Sequence, residues 1–460
     1  MSHSLNRNLP AASNRAMKLH LICSLPLFAC LVFSAKGQEE PAPELRVIKP
    51  EKELLILDPA VVDSPLADYP GPLSIGHLFD QMAADGDGAT MMRRWLETWT
   101  RDLNINGAEV PARPGMVEKV IAPWQRADGF DPDGGEEWRP DLANAPFRLL
   151  AVVNRMDLVS LAPVYYGGML VNAKAEGRLV YAVIDQQGRP LDHHFTVIFE
   201  YHMPEEGEVV AKLAKGWHEL GGMPEFDQCY LDKLSSLTRA FTDRVRDKEN
   251  GGWLPPTIAQ VRTNDMALDE ACEMREFRLS EKRNVLAPAT LANTPSMAFA
   301  RKGSRLNRVL ANFIAANSEA AKDGSLELPE YLRDPSGEAV PVLAGSSTVP
   351  SKRFHWDSMR ITDPETRHNF SMRTCNGCHS GDTNTEFCHI SPRLKGQASE
   401  VSDFLRMDGR TMRISDPAQR RRTVKSNEMQ DRIAAYLRVL QPELSERDLE
   451  KELRKVRRSH

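Results

Sequence analysis

Several of the signatures by which an enzyme is recognised are missing from this sequence. No Gly-rich loop ends in Gly-Lys-Ser or Gly-Lys-Thr, so nothing cradles a nucleotide phosphate. There is no serine nucleophile elbow and no His-Glu-x-x-His helix. Scattered Asp and Glu residues cannot be paired into an acid and a base from sequence, so whether the chain catalyses a reaction stays open. An excess of positive charge is missing as well: the formal net charge is -5, which argues against nucleic acid as a general partner. The exception is local. Arg420-Arg421-Arg422, Lys425 and the tail Arg454-Lys455-Val456-Arg457-Arg458 make the C-terminus basic, which reads as a solvated helix face or as a dock for an acidic partner. No internal repeat is visible, and beyond the amino-terminal region no apolar run approaches the length of about 20 residues that a membrane span needs.

What is present is Cys375-Asn376-Gly377-Cys378-His379. Cys-x-x-Cys-His is the spacing of c-type haem attachment: two thiols on one edge of a porphyrin become thioethers, and the following imidazole meets the iron. Asp363-Pro364-Glu365 upstream has the form of an N-cap, a first-position proline and an acidic first turn, so a short helix is expected to run towards Thr374. Gly377 is expected to permit a sharp turn. A single such motif excludes a multihaem wire or a two-haem peroxidase within one chain. Zinc is the competing cofactor, because Cys375, Cys378, His379, Cys388 and His389 contain enough ligands for a tetrahedral site. A plain disulfide is a third reading. A thioredoxin-like pair fits less well, since no βαβ pattern surrounds Cys375.

The amino terminus agrees with haem attachment outside the cytoplasm. Arg7, Arg15 and Lys18 precede an apolar run over residues 19–35, and Ala35-Lys36-Gly37 offers a small-x-small cleavage pattern. Residues 1–37 are therefore expected to be a signal peptide and the protein periplasmic or secreted, with lipidation at Cys30 as the alternative. Cleavage would leave Cys229, Cys272, Cys375, Cys378 and Cys388, an odd number. If haem takes Cys375 and Cys378, Cys229 and Cys272 could pair and Cys388 is left over.

A hydrophobic fraction of 41% and a charged fraction of 27% describe a globular chain with room for two or three cores. Residues 38–72 are rich in Pro and Glu and read as a lead-in. Ile75, Leu78, Phe79 and Met82, then Met91, Met92, Trp95, Leu96 and Trp99, recur at helical spacing, with Asp85-Gly86-Asp87-Gly88 as the turn between them. Strands are expected over residues 147–153, 179–184, 194–201 and 273–279, with a hairpin at 185–190 and a helix over 230–245. The end of the first strand, Val152-Val153-Asn154-Arg155-Met156-Asp157, looks like a base-reading segment but lacks its phosphate loop. Asn154, Arg155 and Asp157 are better read as closing the strand end with an ion pair. Helices return at 306–314, from Asp416-Pro417 towards Leu440, and behind a Ser445/Asp448 cap. The fold class is thus α+β: an antiparallel sheet with packed helices over 73–300, then a mainly helical part over 301–440 that carries the motif, and a basic C-terminal helix over 441–460.

Four stretches carry a resemblance: residues 145–158, Phe195-Thr196-Val197-Ile198-Phe199-Glu200-Tyr201, Val261-Arg262-Thr263-Asn264 and Thr374-Cys375-Asn376-Gly377-Cys378-His379. Together they resemble a group of exported, largely uncharacterised bacterial proteins with a single Thr-Cys-Asn-Gly-Cys-His motif, over residues from about 71 to 405. Members tend to continue with an acidic residue, Thr-x-x-Phe and then His-Ile or His-Val before Ser-Pro-Arg; the continuation here runs from Thr383 through Arg393, with the three residues between Thr383 and Phe387 and the presence of Cys388 as departures. The resemblance implies export and a haem-like turn, and no particular activity.

For the sixth iron position the candidates are His389, Met407 and Met412. A thioether would raise the potential, a second imidazole would lower it, and an open position would admit small ligands. His368, Arg367 and Arg373 are placed to meet haem carboxylates. His193, His194, His202 and His218 could gather at a sheet end. The two classes of function are an exported monohaem electron carrier serving a redox partner protein, and an exported binding or structural protein with a zinc or disulfide cluster.

Overall fold

The computed structural model describes residues 47–459 apart from 160–163, 167–168, 172–173, 205–206, 349–352 and 418–422. The expected signal peptide, Cys30, most of the lead-in's first third and Arg420-Arg421-Arg422 lie outside the described residues. From Arg46 on, the chain forms one compact unit.

Its frame is an eight-stranded antiparallel sheet. Seven strands follow one another in chain order across it: β1 (Leu55–Ile56), β2 (Phe147–Arg155), β3 (Glu176–Val183), β4 (Phe195–His202), β5 (Ile258–Asp265), β6 (Glu273–Ser280) and β7 (Val285–Ala289). A short β8 (Ser347–Thr348) pairs with the start of β6. The expected strands are all present. The β3–β4 connection is the expected turn, with the Asp185 carboxylate accepting from the Gln187 and Arg189 backbone amides. β5 was not foreseen, because Gln260, Arg262 and Asn264 break its apolar pattern.

That interruption shows how the sheet is built. Side chains alternate between the faces of a strand, and here the faces differ in chemistry. One carries Tyr181, Phe195, Val197, Phe199, Val261 and Phe277, all buried. It packs on α1 (Ile75–Met82) and α2 (Gly88–Leu96), where Trp95 meets Phe79 at 5.5 Å and Phe277 at 5.9 Å, and Trp99 meets Phe277 at 4.9 Å between ring centroids. The other face is charged. Arg178 lies opposite Glu200 across β3 and β4, and Arg262 opposite Glu276 across β5 and β6. Such opposite-charge pairs stabilise neighbouring strands.

The rest of the chain surrounds this sheet. α3 (Gly207–Leu220) and α4 (Gln228–Thr242) follow β4, and α5 (Arg305–Ala316) opens the C-terminal part. There α6 (Pro364–Met372), the single turn α7 (Cys375–Cys378), α8 (Glu428–Leu440) and α9 (Glu446–Ser459) alternate with long loops and small hairpins. The Asp363 cap of α6 and the Ser445/Asp448 cap of α9 form as expected. Asp416-Pro417 does not start a helix: Asn427 caps α8 instead, and the Asp416 carboxylate accepts from Arg367 at 2.9 Å. No helix among the described residues is long and apolar enough to cross a membrane.

Trp95→Ala would empty the centre of the aromatic layer and is expected to lower the unfolding free energy by about 3–5 kcal/mol. Urea titration followed by circular dichroism measures it, and a loss near zero would remove this layer from its place as the core.

Candidate functional site

The Cys-x-x-Cys-His turn faces the charged side of the sheet. Thr374 caps α7, its hydroxyl accepting from the Gly377 amide at 3.0 Å and donating to the Ser371 carbonyl at 2.7 Å. The buried Trp356 indole donates to both Thr374 and Asn376. Gly377 is needed here for space rather than for a left-handed turn, since a Cβ there would stand 2.3 Å from the Ser371 carbonyl oxygen. Across the gap, Thr294 on the segment after β7 accepts from the Cys375 amide at 2.9 Å.

Between turn and sheet lies a cavity of about 520 Å³. Cys375, Cys378, His379, Cys388 and His389 line one side, and Arg178, Glu200, Arg262 and Asn264 from β3, β4 and β5 line the other. Arg155, Arg275, Arg373, Arg432, Glu176 and Glu428 complete the charged lining, so arginines outnumber carboxylates; Met274, Leu291, Ile390, Phe404 and Leu405 supply apolar surface. Glu200 is 1% exposed; burial opposes its charge, but Arg178 at 3.4 Å and Arg262 at 3.5 Å hold its carboxyl below the usual range. Arg155 and Asp157 form the expected ion pair, at 2.9 Å, and Asn154 anchors the strand end through the Glu53 carbonyl and the Met156 amide.

The motif's own chemistry follows from its surroundings. Burial raises the Cys375 thiol and pushes Cys378 up to about 12, so neither is a thiolate at neutral pH. A redox-active Cys-x-x-Cys pair needs the opposite shift. His379 Nδ1 lies 2.7 Å from the Phe387 carbonyl. A carbonyl can only accept, so Nδ1 carries the proton and Nε2 keeps the lone pair a metal would use. Burial, then Arg262, keeps this imidazole in its neutral form despite the carbonyl.

His389 stands beside His379, with ring centroids 4.6 Å apart. Its Nδ1 meets Ser402 Oγ at 2.8 Å and its Nε2 lies 3.4 Å from Cys378 Sγ. Two imidazoles on opposite sides of one metal have nitrogens about 4 Å apart and ring centres farther still, at roughly 2 Å per metal–nitrogen bond. In this arrangement His389 therefore belongs to the same wall as the motif. Met407 and Met412 are not among the cavity's lining residues; Met412 borders a second cavity with His355, Gly381 and Asp403.

Arg367 and His368 do not reach the cavity either. They and His355 converge on Asp382, which is fully buried: Arg367 binds both carboxylate oxygens at 2.7 and 2.8 Å, His368 lies at 2.8 Å and His355 at 3.2 Å. Desolvation opposes its charge, yet these partners hold the Asp382 carboxyl well below the usual range. Arg373 alone of the three expected carboxylate partners borders the cavity. Further along, Arg393 is clamped to both oxygens of Asp63 at 2.7 and 2.8 Å and to the Leu149 carbonyl of β2 at 2.8 Å. The loop carrying His389 is thus tied down at both ends.

All five described cysteines are free; Cys229 is exposed on α4 and Cys272 buried, so the pairing considered from sequence is not formed. His218 is engaged with Glu53 at 2.8 Å. No group of three or more His, Cys, Asp or Glu takes up a metal-holding arrangement among the described residues. Glu200, Arg262 and Asn264 escaped the sequence reading as site residues, although two of the stretches quoted for the resemblance contain them. No family model, curated protein or solved structure matches the chain.

Asp382→Asn breaks a buried ion-pair cluster and is expected to cost about 3–5 kcal/mol. Because the folded-state carboxyl titrates below its unfolded value, its stabilisation is complete above the unfolded value, about pH 3.9, and is lost as pH falls below that. Unfolding midpoints measured from about pH 6 down to about pH 2 should fall more steeply for the wild type than for the variant. Parallel curves would show that Asp382 carries no such share.

Proposed function

We propose that this is an exported c-type haem protein that passes single electrons, with haem attached through Cys375 and Cys378 and His379 as the proximal ligand. The observation that carries the reading is the cavity: two protonated thiols and an imidazole of fixed tautomer share one wall, opposite an arginine-bearing sheet face. Its volume lies in the range of ligand pockets. When bound, haem would supply reversible one-electron chemistry at iron.

The chain's own residues have separate tasks. Cys375 and Cys378 would hold the group covalently, and His379 would present Nε2. Arg178, Arg262 and Arg373 bring positive charge to where a macrocycle's carboxylates need partners. Met274, Leu291, Ile390, Phe404 and Leu405 would offer apolar surface to the rest of the group. Export fits the haem reading because covalent attachment in bacteria takes place beyond the cytoplasmic membrane. The partner would be another redox protein.

A second reading is a zinc or structural site. It is favoured by the 3.4 Å separation of Cys378 Sγ and His389 Nε2, a spacing two ligands of one tetrahedral zinc would share.

The test is the absorption spectrum of protein exported from hosts with and without cytochrome maturation machinery. Haem attachment predicts a red protein with a sharp reduced α band only in the first host. Colourless protein from both, with stoichiometric zinc, would overturn it in favour of the second reading. The double change Cys375→Ala and Cys378→Ala should abolish acid-stable haem and lower the thermal midpoint of the whole chain in a single transition, since motif and sheet share one compact unit; an early transition confined to the C-terminal part would contradict this.

A further inference from the structure

Phe387 has a backbone φ of +69°, a region a bulky residue rarely occupies. The Cys388 amide donates to the Glu386 carbonyl at 2.9 Å, so Glu386, Phe387 and Cys388 form a γ-turn of the strained hand. Strained backbone persists only where its surroundings enforce it, and it concentrates at functional sites. Here the enforcing contacts are visible. The turn exposes the Phe387 carbonyl, which accepts from His379 Nδ1 and also from the Asn264 side-chain amide.

Asn264 is well suited to the task. It sits inside the sheet on β5, paired with Thr196 of β4 and Met274 of β6, and is 7% exposed. The Cys272 thiol donates to its Oδ1 at 2.8 Å, which orients the amide so that Nδ2 points to Phe387. A chain of contacts therefore runs from the rigid sheet through Asn264 to the carbonyl that sets the His379 tautomer.

We propose that Asn264 is a positioning residue for His379: it latches the strained turn at Phe387, and the latched carbonyl holds the proton on Nδ1 and Nε2 towards the cavity. This rests on the haem reading for its purpose, but its geometry concerns only the chain's own residues.

The test uses full-length protein with ¹⁵N-labelled histidine, as wild type and as Asn264→Asp and Asn264→Ala. The aspartate keeps the shape and the acceptor for Cys272 but loses the donor to Phe387. In haem-free wild type, His379 should be a single Nδ1–H tautomer; in both variants that signal should be lost to a mixture. In haem-loaded protein, the ferric electron paramagnetic resonance spectrum should change from one species to several, with unchanged haem mass. Variants whose haem-free tautomer and haem-loaded spectrum both match the wild type would overturn the inference alone. Wild type that takes no haem would remove the preceding reading, while the tautomer measurement still decides the role of Asn264. Should the alanine variant fail to fold, the near-isosteric aspartate decides.

Discussion

Glu200 is the constraint on which the site depends. A carboxylate in the middle of a sheet, out of contact with water, must be paired to remain charged. Arg178 and Arg262 from the two neighbouring strands do this, and Arg262 is shared with Glu276. A sheet face committed to that network cannot be sealed by an apolar layer like the one α1 and α2 place on the other side. The C-terminal part instead bridges it through a few anchors, Thr294 to Cys375, Asn264 to Phe387 and Arg393 to Asp63, and leaves a cavity between. The Cys-x-x-Cys-His turn is positioned by this arrangement.

The same anchors make the site stiff. Asp382 gathers Arg367, His368 and His355 behind the turn, while Thr374 and Trp356 fix its start. The electron carrier proposed here would benefit from ligands that do not rearrange between oxidation states, and a wall held from behind by buried ion pairs resists such rearrangement. The elements that supply this rigidity are far apart in the chain, with β2 and Arg393 meeting across more than two hundred residues of sequence separation.

How much of this was legible in the sequence follows from the chemistry of each segment. Phe195, Val197 and Phe199 alternate against Thr196 and Ile198, so β4 was plain, as were α1 and α2 from their Met and Trp spacing. β5 was hidden because its cavity face carries Gln260, Arg262 and Asn264, which in a sequence look like loop residues. Asp416-Pro417 imitated a helix start, but Asp416 is held by the buried Arg367, a partner 49 residues away. At the site, the motif and the Arg155–Asp157 pair could be read locally. Asn264 and Glu200 could not, because their roles exist only when the sheet brings them opposite the turn. Arg367 and His368 were placed at the cavity by sequence proximity, whereas Asp382 draws them behind it.

The most direct test of the account is peptide mass mapping of the exported full-length protein after proteolysis. The account predicts that the peptide containing both Cys375 and Cys378 carries one haem through two thioether bonds, with Cys272 and Cys388 unmodified. Recovery of that peptide with two free thiols, or with a disulfide between them, from a host that attaches haem to its own cytochromes would contradict it.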